Sequence, residues 1–134
     1  MKFSHIKYEN LSPPQQEAYN FQKVSALLAD YGFITIRLSD DWQGADFIAQ
    51  HIYGEFLKAQ LKGRVTFDKK YKGRDLYICC PVNGHWHLYP HDEMLEKVVT
   101  MKNLDSTKHW AKDGIVHWPK PPEDIQALLK PFRL

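Results

Sequence analysis

The stretch GADFIAQHIYGEFLKAQLK, residues 44–62, determines the fold that we expect for this chain. Asp46 opens an apolar run, and Gln60 and Lys62 lie within a second run. Side chains alternate between the two faces of a strand, so Lys58, Gln60 and Lys62 share one face of the second run. We therefore expect two neighbouring strands that bring a carboxylate, an amide oxygen and an ammonium group close together.

This stretch carries the groups that hold a metal ion beside a phosphate. Mg²⁺ prefers hard oxygen ligands at about 2.1 Å, which Asp46, the Gln60 side chain and the Leu61 backbone carbonyl could supply. A bound ion polarises a scissile phosphate and lowers the pKa of a water, and Lys62 could orient that water. Glu17 lies near the buried stripe of an earlier predicted helix, where a carboxylate needs a partner, and it could bind the same ion or a second one. The alternative is a solvated Lys and Gln face on an edge strand, and spacing alone leaves both open.

Length and charge indicate one domain without a polycationic character. The chain has 134 residues, and we assign residues 1–134 to a single domain. The formal net charge is only +2, so attraction to nucleic acid must come from the placement of charges. Basic residues crowd the segment 58–74, which suits a phosphate backbone, with a solvated loop as the alternative. The candidate nucleic-acid-binding residues are Lys58, Arg64, Lys69, Lys70, Lys72 and Arg74.

Cysteine and histidine positions argue against other chemistries. Cys79 and Cys80 are adjacent, which would strain a disulfide between them, so we predict small core residues in a reducing compartment. His85, His87 and His91 are expected to be structural or at the surface. No apolar run reaches the length of a membrane span, and the N-terminal residues lack a signal-peptide segment. We therefore expect a cytoplasmic protein without a membrane partner.

The secondary-structure signals follow the order helix, strands, helix, helix. Ser12-Pro13-Pro14-Gln15 starts a helix that continues to about Asp30, and Asn83-Gly84 predicts a hairpin. This order favours an α+β fold around a mostly antiparallel or mixed sheet. Strands are predicted at 33–38, from 46, through 60–62, at 75–82 and at 86–90; later helices begin at 92 and 121; residues 39–44 form a polar loop, 63–73 a basic loop or ragged strand end, and 103–121 an irregular segment.

The element order, with an Asp on one strand and Q-x-K on the next, resembles the PD-(D/E)xK nuclease superfamily of restriction endonucleases and archaeal Holliday-junction resolvases. Asp46 stands where the family has its Asp, Gln60-Leu61-Lys62 stands at (D/E)-x-K, and Glu17 matches a first-helix Glu. The resemblance implies a restriction-endonuclease-like α/β/α sandwich with a central mixed five-stranded sheet flanked by helices. Two positions depart from the motif: Ala45 replaces a Pro, and Gln60 replaces an acid, which weakens metal binding.

The resemblance also implies an activity and a set of roles. The chain would be an endonuclease that hydrolyses DNA phosphodiester bonds with Mg²⁺ or Mn²⁺, held by Asp46, Gln60, Leu61 and Glu17, with Lys62 assisting the attacking water. One alternative is a non-catalytic nucleic-acid-binding module that retains the nuclease fold, and another is a structural or partner-binding domain. A homodimer would suit the cutting of both DNA strands, although no segment shows a pairing face.

Overall fold

The computed structural model describes residues 1–134 as four helices and seven strands joined by short 3₁₀ turns. The helices are α1 (Pro13–Ala29), α2 (His91–Lys102), α3 (Lys108–Asp113) and α4 (Glu123–Leu129). The strands are β1 (Phe33–Trp42), β2 (Ala45–His51), β3 (Phe56–Leu61), β4 (Val65–Asp68), β5 (Leu76–Val82), β6 (His85–Pro90) and β7 (Ile115–Trp118).

A mixed five-stranded sheet in the order β1-β2-β3-β5-β6 forms the centre of the molecule. Only the β3–β5 pair is parallel, and the other three pairs are antiparallel. This confirms the predicted α+β fold with a mixed five-stranded sheet. Because β3 lies between β2 and β5, it is an interior strand, and the alternative of a solvated edge strand for Gln60 and Lys62 is wrong.

Helix α1 covers one face of the sheet. It begins with the predicted capping box, in which Ser12 accepts from the Gln15 backbone N–H and the Gln15 side chain accepts from the Ser12 N–H. On its inner face, Val24 and Leu28 are buried in a cluster that includes Phe47 of β2. This packing sets the distance between the start of α1 and the strands that carry the candidate site.

The opposite face of the sheet is covered only in part. Met94 of α2 and Ile125 of α4 are buried there against Ile78 of β5. The helices do not extend over the first two strands, and Ile34 and Ile36 of β1 stay largely exposed. The predicted α/β/α sandwich is therefore formed, with its second helical layer over β5 and β6.

Two segments differ from the sequence-based expectation. Residues 39–42 continue strand β1, with an irregular register between Arg37 and Trp42, where a loop was predicted. Residues 63–73 were predicted as a basic loop or ragged strand end, yet they contain strand β4 with Val65 and Phe67 fully buried. Two parallel neighbours require a crossover between them, and the segment 62–75 provides it.

The segment 103–121, predicted to be irregular, contains α3 and β7. Strand β7 pairs antiparallel with β4, so a second, two-stranded sheet joins segments about 50 positions apart in the chain. Cys79 and Cys80 are free and buried, as predicted. No helix is long and apolar enough to cross a membrane.

Candidate active site

The five residues proposed from the sequence for catalysis and metal binding line one cavity of about 450 Å³. The cavity lies between the start of α1, the second half of β1, the start of β2 and the end of β3. The cavity lining includes Glu17, Asp46, Gln60, Leu61 and Lys62. The fold thus brings together groups that are up to 45 positions apart in the chain.

Asp46 is placed by the turn between β1 and β2. The Gly44 N–H donates to Asp41 Oδ1 at 2.6 Å, and Gly44 adopts a φ of +90°. A Cβ atom at position 44 would lie 3.2 Å from the Tyr71 ring. Both the left-handed backbone and the close ring therefore require glycine directly before Ala45-Asp46.

The Asp46 carboxylate is held by β3 and partly removed from water. Its Oδ2 accepts a hydrogen bond of 2.8 Å from the Leu61 backbone N–H. Burial raises the pKa of Asp46 above its usual value; the Leu61 hydrogen bond opposes this, Asp41 and Glu17 raise the pKa further, and Lys62 lowers it. A nearby cation would stabilise the ionised form of a carboxylate in this position, as expected for a metal ligand.

Gln60 provides the clearest sign of a missing partner. Its side-chain oxygen Oε1 is the only buried side-chain nitrogen or oxygen in the structure without a hydrogen-bond partner. An unsatisfied buried acceptor costs about 1–3 kcal/mol, so folded proteins rarely retain one without a reason. A cation beside Asp46 would supply the missing interaction, and the residues present fit a hard divalent ion.

Leu61 and Lys62 complete the side of the cavity formed by β3. The Lys62 N–H donates to the Cys79 carbonyl of β5 at 2.8 Å, while the Leu61 N–H points to Asp46 on the other side. In an extended strand the N–H and C=O of one residue point the same way, so the Leu61 carbonyl also faces β2. The Lys62 ammonium lies 5.6 Å from the Tyr71 ring centroid.

Glu17 lines the cavity but differs from the expectation that it lies close to the buried stripe of its helix. Its side chain is exposed, and Oε2 lies 3.6 Å from Nη2 of Arg37 on β1. Glu17 lies four residues before Phe21, at an exposed position of α1. The expectation of a position near the buried stripe is therefore wrong: the carboxylate is largely solvated and has one weak contact with a guanidinium.

Sequence reasoning missed Arg37, Asn20 and Trp86 as parts of this cavity. Arg37 is the only charged residue in the run 33–38, and alternation along that run was the available signal. The charged residues of the lining are four carboxylates and two cations, a formal charge of −2, which one divalent cation would balance. They are Glu17, Asp40, Asp41, Asp46, Arg37 and Lys62.

The basic residues of the segment 58–74 lie in two different places. Lys70 and Arg74 line a cavity of about 310 Å³ together with Asp41, which also borders the candidate site. Lys58 Nζ donates a hydrogen bond of 2.8 Å to the backbone carbonyl of Arg74. Arg74 Nε in turn donates one of 2.8 Å to the backbone carbonyl of Lys70. These three cations therefore lie next to the candidate site.

Lys69 and Lys72 point elsewhere. They line a different cavity, whose walls include Asp92 and Glu96 of α2. The Lys69 ammonium lies 5.0 Å from the Trp110 ring centroid. Five of the six predicted nucleic-acid contacts thus fall into a group near the site and a group beside α2, and Arg64 is exposed and lines none of these cavities.

Two of the three candidate histidines, His87 and His91, are buried, and His85 is exposed. His91 is fully buried; its Nε2 accepts from the Asp68 backbone N–H at 3.1 Å, and its Nδ1 lies 2.8 Å from Asp92 Oδ1. Both ring nitrogens are engaged, so His91 has no free position for a metal. The structure contains no group of three or more His, Cys, Asp or Glu side chains arranged around one ion position. An ion at Asp46 would accordingly depend on Gln60, the Leu61 carbonyl and water.

No protein-family model and no curated protein matches this sequence. The chain is similar to the solved structure of Hjc, a Holliday junction resolvase from Archaeoglobus fulgidus, with 13% identity and a TM-score of 0.41, over 52% of this chain and 74% of that one. It is also similar to the bacterial homing endonuclease I-Ssp6803I, with 13% identity and a TM-score of 0.49, over 92% of this chain and 88% of that one. Function is therefore inferred from the residues of the cavity.

Proposed function

We propose that this chain is a metal-dependent endonuclease that hydrolyses DNA phosphodiester bonds in the cavity around Asp46. The observation that carries the proposal is the unpaired, buried oxygen of Gln60 beside a carboxylate that burial has made harder to ionise. An unpaired amide oxygen and a partly buried carboxylate, on adjacent interior strands, would form a pair of ligands for Mg²⁺ or Mn²⁺.

The roles of the residues follow from their positions. Asp46 and Gln60 would hold the cation with side-chain oxygens, Leu61 would add its backbone carbonyl, and Glu17 would reach the site through water or directly. The cation, when bound, supplies polarisation of a phosphate and a lowered pKa for water. Lys62 places a positive charge beside Asp46, where it orients the attacking water and stabilises charge on the phosphate.

DNA is the proposed substrate because cations flank the cavity. Lys58, Lys70 and Arg74 lie on the side that Asp41 shares with the site. Their positive charges would follow a phosphate backbone that enters the cavity, and binding would weaken with salt. Lys69, Lys72 and Arg64 would contact DNA outside the cavity. A homodimer and a cytosolic location stay predictions from the sequence.

Cleavage of supercoiled plasmid DNA tests the proposal. We expect nicked or linear product with Mg²⁺ or Mn²⁺ and none with EDTA, and a loss of at least about 100-fold in rate for Lys62→Ala and Asp46→Asn. Lys97→Ala is the matched control, because Lys97 is an exposed lysine of α2 outside the cavity lining. The proposal is wrong if neither metal supports cleavage, or if Lys62→Ala cleaves as fast as the unmodified protein.

A second candidate function is DNA binding without catalysis. The neutral amide at Gln60 favours it, because replacing a carboxylate ligand by an amide weakens affinity for a divalent ion. This alternative predicts DNA binding that is equal in Mg²⁺ and in EDTA, with no cleavage in either. Binding of Mn²⁺ that is lost in Asp46→Asn would exclude it.

A further inference from the structure

Arg37 is the one cation of the cavity to which neither the sequence motif nor the proposed reaction gives a role. It stands opposite Phe47 in the β1–β2 register, one position from Asp46 on the neighbouring strand. The other cation of the lining, Lys62, lies beside Asp46 and is used there. A phosphate entering a cavity of net charge −2 needs a positive group of its own, and Arg37 is the one available.

The contact between Arg37 and Glu17 is weak. The atoms Nη2 and Oε2 are 3.6 Å apart, beyond hydrogen-bond distance, and the two side chains are 43% and 74% exposed. Exposed ion pairs of this kind contribute little. The guanidinium makes no hydrogen bond to any protein group, so its donors are free for another acceptor.

A guanidinium suits a phosphate better than it suits a single carboxylate oxygen at this distance. Its planar fork can donate two parallel hydrogen bonds to phosphate oxygens, a geometry that lysine lacks. Because most of the Glu17 side chain is exposed, it can turn into solvent when a stronger acceptor binds Arg37.

We propose that Arg37 is a phosphate-binding residue of this cavity, and that a DNA phosphate displaces Glu17 from it. This inference rests on the proposed function, since it takes DNA as the substrate of the same cavity. Glu17 then acts as a placeholder in the free protein and competes with DNA for Arg37. The two residues, although in contact, must affect DNA affinity in opposite directions.

Equilibrium binding of a fluorescently labelled DNA duplex in EDTA tests the exchange without requiring cleavage. We expect Arg37→Gln to weaken binding by about tenfold and to lower the salt dependence by about one phosphate contact. Arg37→Lys should recover only part of this loss, because it restores the charge but not the fork. Glu17→Gln should tighten binding by about threefold.

The double variant separates displacement from a general electrostatic effect. Asp40→Asn is the matched control, because Asp40 lines the same cavity without pairing to Arg37. Glu17→Gln should tighten binding clearly less in the Arg37→Gln background than in the unmodified background, whereas Asp40→Asn should tighten binding equally in both backgrounds. Thermal unfolding of each variant should match the unmodified protein, because the exchanged groups are exposed.

Three results would overturn the exchange: Arg37→Gln binding DNA as well as the unmodified protein, Glu17→Gln tightening binding equally with and without Arg37, or no DNA binding by the unmodified protein. The proposed catalysis is judged separately. If the predicted coupling is found in EDTA but no metal supports cleavage, the phosphate contact stands and the nuclease assignment fails.

Discussion

Replacing Gln60 by methionine should make the metal-free protein more stable and remove its response to metal. The Gln60 side chain makes no hydrogen bond in the structure, and its oxygen is buried without a partner. Methionine has nearly the same volume, so the replacement removes the unsatisfied acceptor without leaving a cavity. Relief of that acceptor is worth about 1–3 kcal/mol, and we expect about 1 kcal/mol in the free energy of unfolding. For a chain of this length this is roughly 3–5 °C in Tm.

Metal should reverse the order of stability. A ligand that binds only the folded state stabilises it by about 2.7 kcal/mol at one hundred times its Kd. The unmodified protein should therefore gain stability in Mn²⁺, while Gln60→Met gains little, because one side-chain ligand is gone. In EDTA the variant should be the more stable protein, and in saturating Mn²⁺ the less stable one.

Urea unfolding in EDTA and in Mn²⁺ measures both effects. Gln50→Met is the matched control, since Gln50 is an exposed glutamine on the neighbouring strand β2, and it should change stability by less than about 0.5 kcal/mol in either buffer. If Gln60→Met is less stable than the unmodified protein in EDTA, the Gln60 oxygen is not an unsatisfied acceptor in the metal-free protein. If both proteins gain equally from Mn²⁺, Gln60 is not a ligand.

Three further perturbations follow from the contacts described. Burial raises the pKa of Asp46, so ionisation of its carboxyl group destabilises the fold as the pH rises through that pKa. In metal-free urea titrations at pH 7, Asp46→Asn should therefore be more stable than the unmodified protein. An equal or lower stability of Asp46→Asn would contradict this. Burial lowers the pKa of His91, so its neutral form stabilises the fold above its unperturbed value of 6.5, and stability should fall as the pH drops below 6.5. That acid-side slope should flatten in His91→Gln, whose unfolding at pH 7.5 should also occur at lower urea; an unchanged slope would contradict this. Gly44→Ala should lower the free energy of unfolding by about 1–3 kcal/mol, because the backbone is left-handed and the Tyr71 ring is close, and a neutral effect would show that the turn before Asp46 can relax.

Local signals gave most of the fold. The capping box at Ser12 and the hairpin at Asn83-Gly84 depend on residues within four positions of each other, and both were predicted from sequence. The β4–β7 pair was not, because its pairing joins Val65 to Trp118, and no local pattern encodes a partner that far away. The burial of all four residues of β4 was also concealed by the lysines that follow them.

The sequence predicted which strands carry the candidate site but not the electrostatic environment of its residues. Alternation and spacing placed Asp46, Gln60 and Lys62 on neighbouring strands, and the family resemblance favoured a shared site over a solvated face. The exposure of Glu17 and its contact with Arg37 could not be predicted, because they depend on the angle at which α1 crosses the sheet edge. The unpaired state of the Gln60 oxygen is likewise a property of packing, and sequence gives only the residue type.

Binding of Mn²⁺ to the unmodified protein and to Asp46→Asn, followed by the loss of the free-ion electron paramagnetic resonance signal, tests the central claim most directly. It asks whether the cavity binds a divalent ion through Asp46, without requiring the correct DNA. We expect about one Mn²⁺ per chain in the unmodified protein and none in Asp46→Asn. Absence of binding, or equal binding by both proteins, would contradict a metal site at Asp46.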